Sequence, residues 1–304
     1  MFDEVVVAVG VNIDKRGFFP NEKRIEIINQ ATEGLEGVRV IQYHSLTIDI
    51  CREMGIHHIV RGVRNMIDFE TERSIADANR RLAPDIETII IGDGITRLGN
   101  RLFKGLNYVT SVKFGANVTA MGYEVFYGCT KLADAQLNEG LTAIGALTFY
   151  GCAKLTQISI PSTVTRLNNR AFKGTGLTSV VVPDTVTYLG YEVFMNCYDL
   201  AEATYSKRVS MLSPRTFENC TSLKNFFFSK NMCRIRNRAF YGCTALESIT
   251  FEDADNMWPS SNGQEARITS NAFEGCNSSL KMIAKDGSHV KDYAQKRGFT
   301  FVAK

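Results

Sequence analysis

The sequence predicts a solenoid of stacked coils with short parallel strands, preceded by a smaller α/β segment. Three observations lead there. Phenylalanines at 103, 126, 149, 172, 194, 217, 240 and 273 recur at spacings of 23, 23, 23, 22, 23, 23 and 33 residues. Six of the eight cysteines follow the same beat, three residues after a phenylalanine. The first 85 residues carry neither signal and alternate between strand and helix patterns. Self-similarity at a period of 20–50 residues marks a repeat array in which each unit contacts only its neighbours.

Each coil is legible in detail. In the coil beginning at Leu155, a short alternating strand directs Ile158 and Ile160 inward and Gln157 and Ser159 outward. Period-2 alternation marks a half-buried strand. A turn follows, then an apolar pair (Val164, Leu167), then a one-turn helical segment carrying Phe172. The coil from Leu177 to Phe194 repeats the plan. No coil buries its apolar side alone, so stacking is obligatory. One strand per coil, aligned into a parallel sheet, and a right-handed winding from about Ile86 are expected.

The cysteine ladder comprises Cys129, Cys152, Cys197, Cys220, Cys243 and Cys276; Leu106 and Thr175 occupy two further positions of the register. Neither residue can replace a disulfide or metal partner, but both can replace a small buried side chain. The cysteines therefore read as reduced and buried. No Cys-x-x-Cys pair suggests zinc.

The pattern L-x-x-I-x-I-P-x-x-V-T-x-I-G-x-x-A-F-x-G-C resembles the BspA-type leucine-rich repeat, over about nine coils from residue 86 to 304. The resemblance implies a leucine-rich-repeat solenoid that binds an unknown protein or glycan on its surface. Phe227, at an outward strand position between Asn225 and Ser229, is one contact candidate. Trp258 is the other. It lies in Asp253–Glu265, the stretch that lengthens the interval before Phe273, and insertions in repeat proteins often serve binding.

In residues 1–85, Glu4–Val11, Val38–Tyr43 and Ile56–Val60 read as strands. Pro20–Glu33, Leu46–Met54 and Met66–Leu82 read as helices. This order indicates parallel βαβ units. The segments Phe2–Asn12, Phe19-Pro-Asn-Glu-Lys-Arg24, Leu46-Thr-Ile-Asp49, Ile59-Val-Arg-Gly-Val-Arg64, Asp68-Phe-Glu-Thr-Glu72 and Ile75–Leu82 resemble the interior of bacterial phosphopantetheine adenylyltransferase. That resemblance implies a truncated Rossmann-like nucleotidyltransferase half-domain. By it, Lys15 contacts the reacting phosphates, Arg61 grips the pantetheine phosphate and Arg64 faces ATP. Leu46 and Thr47 meet the pantetheine arm, and Glu72 lies near the nucleotide. Thr71 stands where the family commonly has tyrosine. The family's first strand, its Thr-x-Gly-His loop and its later Ser-rich loop have no counterpart in this sequence. The missing strand is central in the family's 3-2-1-4-5 sheet, so two strand pairs with unpaired inner edges should remain, and either a collapsed sheet in which Glu4–Val11 meets Ile56–Val60 directly or mobile helices are expected. At the junction, Ile86–Gly92 fits both the family's fifth strand and the first strand of a repeat.

These readings give an interaction module with no catalytic residues and no cofactor. The alternative is an adenylyltransferase of coenzyme A biosynthesis, using ATP and magnesium, if the missing loop lies upstream or is supplied in trans. A third reading is a non-functional fusion. A net charge of +3 on 304 residues does not argue for nucleic acid, and no apolar run approaches the roughly 20 residues that span a bilayer. The acidic start Met-Phe-Asp-Glu reads as cytoplasmic; a signal encoded upstream would make the protein secreted or surface-bound. The histidines read as ordinary: His57 and His58 point to opposite faces of a strand, and His44 and His289 lie at the surface.

Overall fold

A computed structural model describes residues 4–10, 20–45, 47–56, 58–62, 87–91, 96–252 and 268–304. Contacts divide the chain into two compact units, the second running from Ile91 to Lys304.

The N-terminal unit contains β1 (Val5–Gly10), α1 (Asn21–Thr32), β2 (Val38–Tyr43), α2 (Thr47–Glu53), β3 (His58–Gly62) and β4 (Glu87–Ile91). Strand β1 pairs in parallel with β2 from Val5↔Val38 to Gly10↔Tyr43. Strand β3 pairs with β4 in a separate two-stranded sheet. Among the described residues β1 does not pair with β3, so the collapsed sheet in which these two strands would meet is not what forms; two separate strand pairs stand instead. The junction strand β4 is taken by the N-terminal pairing. Helix α1 buries no residue: its apolar positions Ile25 and Ile28 are only half-buried and Ala31 is exposed. A small cluster of Ile48, Cys51 and Ile59, with Ile56 against it, is the core here. The helix expected over Met66–Leu82 lies outside the described residues.

The second unit is a solenoid with two strand ladders rather than the one expected. The longer ladder contains Ser111–Lys113, Asp134–Gln136, Ser179–Val181, Glu202–Thr204, Asn225–Phe228, Ser248–Phe251, Lys281–Ala284 and Thr300–Ala303. The shorter ladder contains two-residue strands at Arg97, Ala120, Ala143, Arg166, Tyr188, Met211 and Arg234. All of its pairings are parallel and join equivalent positions, as in Arg166↔Ala143 and Arg166↔Tyr188. The expected inward residue Leu167 belongs to this second ladder. Gln157–Ser159 keeps the expected alternation, with Ile160 buried and Gln157 and Ser159 exposed, but makes no ladder strand.

The core is the phenylalanine stack. Successive rings from Phe103 to Phe273 lie 5.0–5.5 Å apart, at interplanar angles of 4–17°. Coil spacing enforces this parallel stacking: strand neighbours sit about 4.8 Å apart, and equivalent side chains inherit that interval. Six of the eight rings, those of residues 126, 149, 172, 194, 240 and 273, are wholly buried.

The cysteines line the adjoining row, and all are free thiols. Each ladder cysteine donates its S–H to the carbonyl of the preceding coil's phenylalanine: Cys129 to Phe103, Cys152 to Phe126, Cys197 to Phe172, Cys220 to Phe194, Cys243 to Phe217 and Cys276 to Phe240, at 3.0–3.2 Å. They act as more than small hydrophobes. Burial pushes the Cys129 and Cys197 thiols up to about 11 and Cys276 to about 12, so they remain protonated donors. Thr175 fits the row through its hydroxyl, which donates to Phe172 O of its own coil at 2.9 Å.

Two left-handed residues bracket each phenylalanine turn except that of Phe273, where only the second, Gly275, is left-handed. Two residues after it stands Gly105, Gly128, Gly151, Gly174, Gly242 or Gly275, replaced by Asn196 and Asn219, the best non-glycine substitutes in this conformation. Two residues before it, Arg101, Glu124, Leu147, Arg170, Glu192, Arg215 and Arg238 adopt φ of 55–61°. Such residues are uncommon at positive φ, and only the stacked hydrogen bonds of the neighbouring coils hold them there.

Candidate interaction surface

The outward face of the longer ladder carries an aligned, partly apolar row. Within Asn225–Phe228, Phe226 and Phe228 point into the core while Phe227 is 51% exposed. Register places Phe227 beside Thr250, Thr250 beside Ile283 and Ile283 beside Val302. One coil pair earlier, Val181, 63% exposed, lies beside Thr204. The parallel row is polar: Asn225 beside Ser248, whose hydroxyl bonds Asn225 Oδ1 at 2.6 Å, then Lys281 and Thr300. The period-2 pattern made this face readable in sequence. Ser229, expected to flank Phe227 outward, is buried, and its hydroxyl donates to Lys207 O.

A second surface runs along the phenylalanine turns and had no sequence signal. The left-handed position two residues before each phenylalanine points its side chain at its neighbours in adjacent coils. Glu124 accepts from Arg101 Nε at 3.0 Å and Lys104 Nζ at 2.6 Å. The bond from Lys104 is the main reason its carboxyl titrates below the ordinary range. Glu192 is buried between coils and accepts from Arg170 Nε at 2.9 Å and Lys173 Nζ at 2.7 Å, with Arg215 at 3.7 Å. Burial raises the Glu192 carboxyl, but the bonds from Arg170 and Lys173 outweigh it and hold the group below its usual value. Arg238 closes the run on Glu218 at 2.8 Å. Tyrosines flank these cations: Arg101 lies over Tyr123, Lys104 over Tyr127 and Arg238 over Tyr241, at 5.2, 4.6 and 3.9 Å. Each of the three carboxylates is held by cations of its own or adjacent coils, so the edge reads as a structural seam.

Of the adenylyltransferase-like residues, Thr47 opens α2, and its hydroxyl lies 2.9 Å from Tyr43 Oη. Arg61 lies on β3. Lys15, Leu46, Arg64 and Glu72 fall outside the described residues, as do Trp258 and His57. His44 is exposed, whereas His289, expected at the surface, is only partly exposed at the start of a C-terminal helix, 3.5 Å from Asp292. Among the described residues no group of His, Cys, Asp and Glu is arranged to hold a metal ion, and no helix is long and apolar enough to cross a membrane.

Comparison with known proteins separates the two halves. Residues in the first third are 45% identical over 91 residues to phosphopantetheine adenylyltransferase of Flavobacterium psychrophilum, covering 30% of this chain and 60% of that protein. The Bacteroides fragilis enzyme is 46% identical over 89 residues, 29% of this chain and 59% of that protein. The chain thus spans about 60% of the length of these relatives. Among solved structures, a Treponema pallidum leucine-rich repeat protein aligns at 26% identity with a TM-score of 0.43, covering 52% of this chain and 66% of that one. A leucine-rich repeat protein from Bacteroides ovatus aligns at 21% identity and 0.37, covering 69% and 64%. The BspA-type leucine-rich repeat region matches in six copies over residues 81–201 and 148–278. With that match spanning more than half of its residues, and the phenylalanine stack running through it, the chain belongs to the BspA-type leucine-rich repeat family.

Proposed function

We propose that the solenoid is a binding module whose partner docks on the outward face of the longer strand ladder. The observation that carries this reading is Phe227, half-exposed on a strand and continued by Thr250, Ile283 and Val302 in register. An aligned row in which Phe227 and Val302 are exposed and Thr250 and Ile283 half-buried offers apolar area on a rigid frame, where little ordering entropy opposes association. Exposed apolar patches of this kind mark interaction sites. The apolar row favours a protein; a glycan would use the Phe227 ring with Asn225 and Ser248 beside it. Phe227→Ser combined with Ile283→Lys should abolish partner capture while leaving the thermal midpoint within a few degrees. Mass spectrometry of the captured material and a glycan array then separate the two ligand classes. Capture that survives the double substitution at full strength removes this face from the reading.

The identity to adenylyltransferases favours a second reading, adenylyl transfer to phosphopantetheine. In that reading Lys15, Arg61 and Arg64 hold phosphates, and ATP and magnesium are required. We infer that these residues grip phosphate without turning it over. Each matches a ground-state contact of the family, and contacts equal in ground and transition states do not raise turnover. The family's positioned histidine is the kind of donor worth about 10²–10³ in rate. Purified protein with ATP, magnesium and phosphopantetheine should release no pyrophosphate above background. Release that is lost in Arg61→Ala would make the enzymatic reading the leading one.

A further inference from the structure

The phenylalanine turns carry charge at two fixed places, two residues before the ring and one after it. From the turn of Phe103 to that of Phe240 these places hold six cations, Arg101, Lys104, Arg170, Lys173, Arg215 and Arg238, and three carboxylates, Glu124, Glu192 and Glu218. The excess of three positive charges equals the net charge of the entire chain, +3. The shorter ladder precedes this edge in every coil. Among the described residues its strands add Arg97, Arg166 and Arg234 and no carboxylate.

The carboxylates are sunk and the arginines are not. Side chains of Glu124, Glu192 and Glu218 are 4–14% exposed, those of Arg101, Arg170, Arg215 and Arg238 33–57%. A guanidinium has five N–H donors. Among the described residues Arg101 gives Glu124 only Nε, and Arg238 meets Glu218 through Nη2. Arg215 lies 3.6 Å from Glu218 and 3.7 Å from Glu192, too far to hydrogen-bond either. Arg215 and Arg238 hold equivalent places in successive coils, where like charges repel. Buried Glu218 does not cancel this fully: its Oε2 has no hydrogen-bond partner.

The tyrosines fix the cations in place. Lys104, Tyr127, Tyr150 and Lys173 form one column across four coils. The two rings stack at 4.6 Å, with Lys104 Nζ 4.6 Å from the first ring and Lys173 Nζ 5.9 Å from the second. Arg170 lies over Tyr191 at 5.1 Å.

We propose that this edge docks an extended acidic segment of a partner polypeptide, its carboxylates on the outward donors of Arg101, Arg170, Arg215 and Arg238. The surplus of cations sets the sign of the ligand, and arginine clusters are a recurrent reader of acidic motifs. The molecule itself shows the anion, because every engaged cation of the seam holds a carboxylate. A single-stranded nucleic acid needs open aromatic faces for its bases, and a sugar ring needs the same; the Tyr127–Tyr150 column offers neither. Arg170 and Arg238 are three coils apart, about 14 Å at about 4.8 Å per coil, and same-face residues of an extended chain recur at about 6.8 Å. The first, third and fifth residues of an alternating acidic segment therefore span them.

The test uses the full chain and a fluorescein-labelled peptide of alternating glutamate and serine, long enough to run from Arg101 to Arg238. Fluorescence anisotropy should show saturable binding that weakens as salt rises, because exposed charges are screened. Arg101→Gln combined with Arg215→Gln should weaken it about tenfold or more, the scale of one charge-assisted bond. The seam survives that change, since Glu124 keeps Lys104 and Glu192 keeps Arg170 and Lys173. Lys113→Gln combined with Lys224→Gln removes the same charge from exposed positions off this edge and should leave binding unchanged. Phe227→Ser should leave it unchanged too, so failure here leaves the sheet-face reading standing. Three results overturn the proposal. One is no saturable binding at low salt. Another is equal loss in the two double variants, which reduces the effect to net charge. The third is oligothymidylate or polygalacturonate of matched charge binding as tightly as the peptide.

Discussion

The two units are made of similar residues and differ in how each element finds a partner. In the solenoid, every coil presents the same inward set to a neighbour that presents it back, and side chains from Phe126 to Phe273 are buried almost completely. In the N-terminal unit, β1 has β2 and β3 has β4, while α1 buries nothing. An α/β layer is stable when a continuous sheet carries helices on its faces; two separate strand pairs offer each helix half a surface. A repeat array draws its cohesion from nearest neighbours, whereas two strand pairs that are not joined into one sheet share no such continuous contact.

Hydrogen exchange tests this difference most directly. Amides of Val5–Gly10 should exchange on the order of 10³-fold faster than those of Ser179–Val181, a gap of about 4 kcal/mol in opening free energy. Equal protection in both places would show that the N-terminal strand pairs are as firmly held as the coils. Within the solenoid, Phe172→Ala or Phe217→Ala should destabilise by about 3–5 kcal/mol, as for other buried aromatics. Denaturant unfolding measures it; a small loss at both positions would mean that the stack is not the core.

The cysteine row predicts a smaller effect. Cys220→Ala removes a thiol that donates to Phe194 O at 3.2 Å inside the core, and should destabilise by about 1–2 kcal/mol. Cys220→Thr should recover part of that loss, because Thr175 already keeps a hydroxyl in this row. Equal losses for alanine and threonine would reduce the row to packing alone.

The charged seam adds a pH dependence. Glu192 is held below the ordinary carboxyl value of 4.5 in the folded chain. Its contribution is therefore complete above the unfolded value and is lost as pH falls through the folded one. Glu192→Gln should lower the thermal midpoint at pH 7, and the gap to the parent should close as pH is taken from 5 toward 3. A gap that stays constant over that range would show that the carboxylate's charge is not what the seam uses.

The repeats were legible because stacking demands the same residue at the same place in every coil, so Phe149, Phe172 and their equivalents announce both period and core. The outward Phe227 followed from simple alternation. The second ladder was missed because strands such as Arg166–Leu167 are two residues long, too short to show a period. The left-handed turn positions were invisible for another reason: Arg101, Glu124 and Arg170 are not residues that announce positive φ, and neighbouring coils impose it. The N-terminal strand order was legible through resemblance, but the direct pairing expected between Glu4–Val11 and Ile56–Val60 does not form.

The smallest expected effect concerns the one break in the cysteine row inside the array. At Thr175 the hydroxyl bonds its own coil's Phe172 O, so Phe149 O lacks the side-chain donor that Phe126 O receives from Cys152. Phe149 O still accepts from Cys152 N at 3.2 Å, so the missing donor is a second one. Thr175→Cys should extend the row: its thiol reaches back to Phe149 O, while Phe172 O keeps its bond from Cys197. The exchange gives up a strong O–H donor for a weaker S–H one and gains a bond between coils. The net change should therefore stay within about 0.5–1 kcal/mol, the scale of a single neutral hydrogen bond. Thermal unfolding of Thr175→Cys beside Thr175→Ala reads it: near-parental stability for cysteine with a clear loss for alanine supports the row as a chain of donors between coils. Cysteine as damaging as alanine would mean that Thr175 is held by its own coil and that the row does not extend through it.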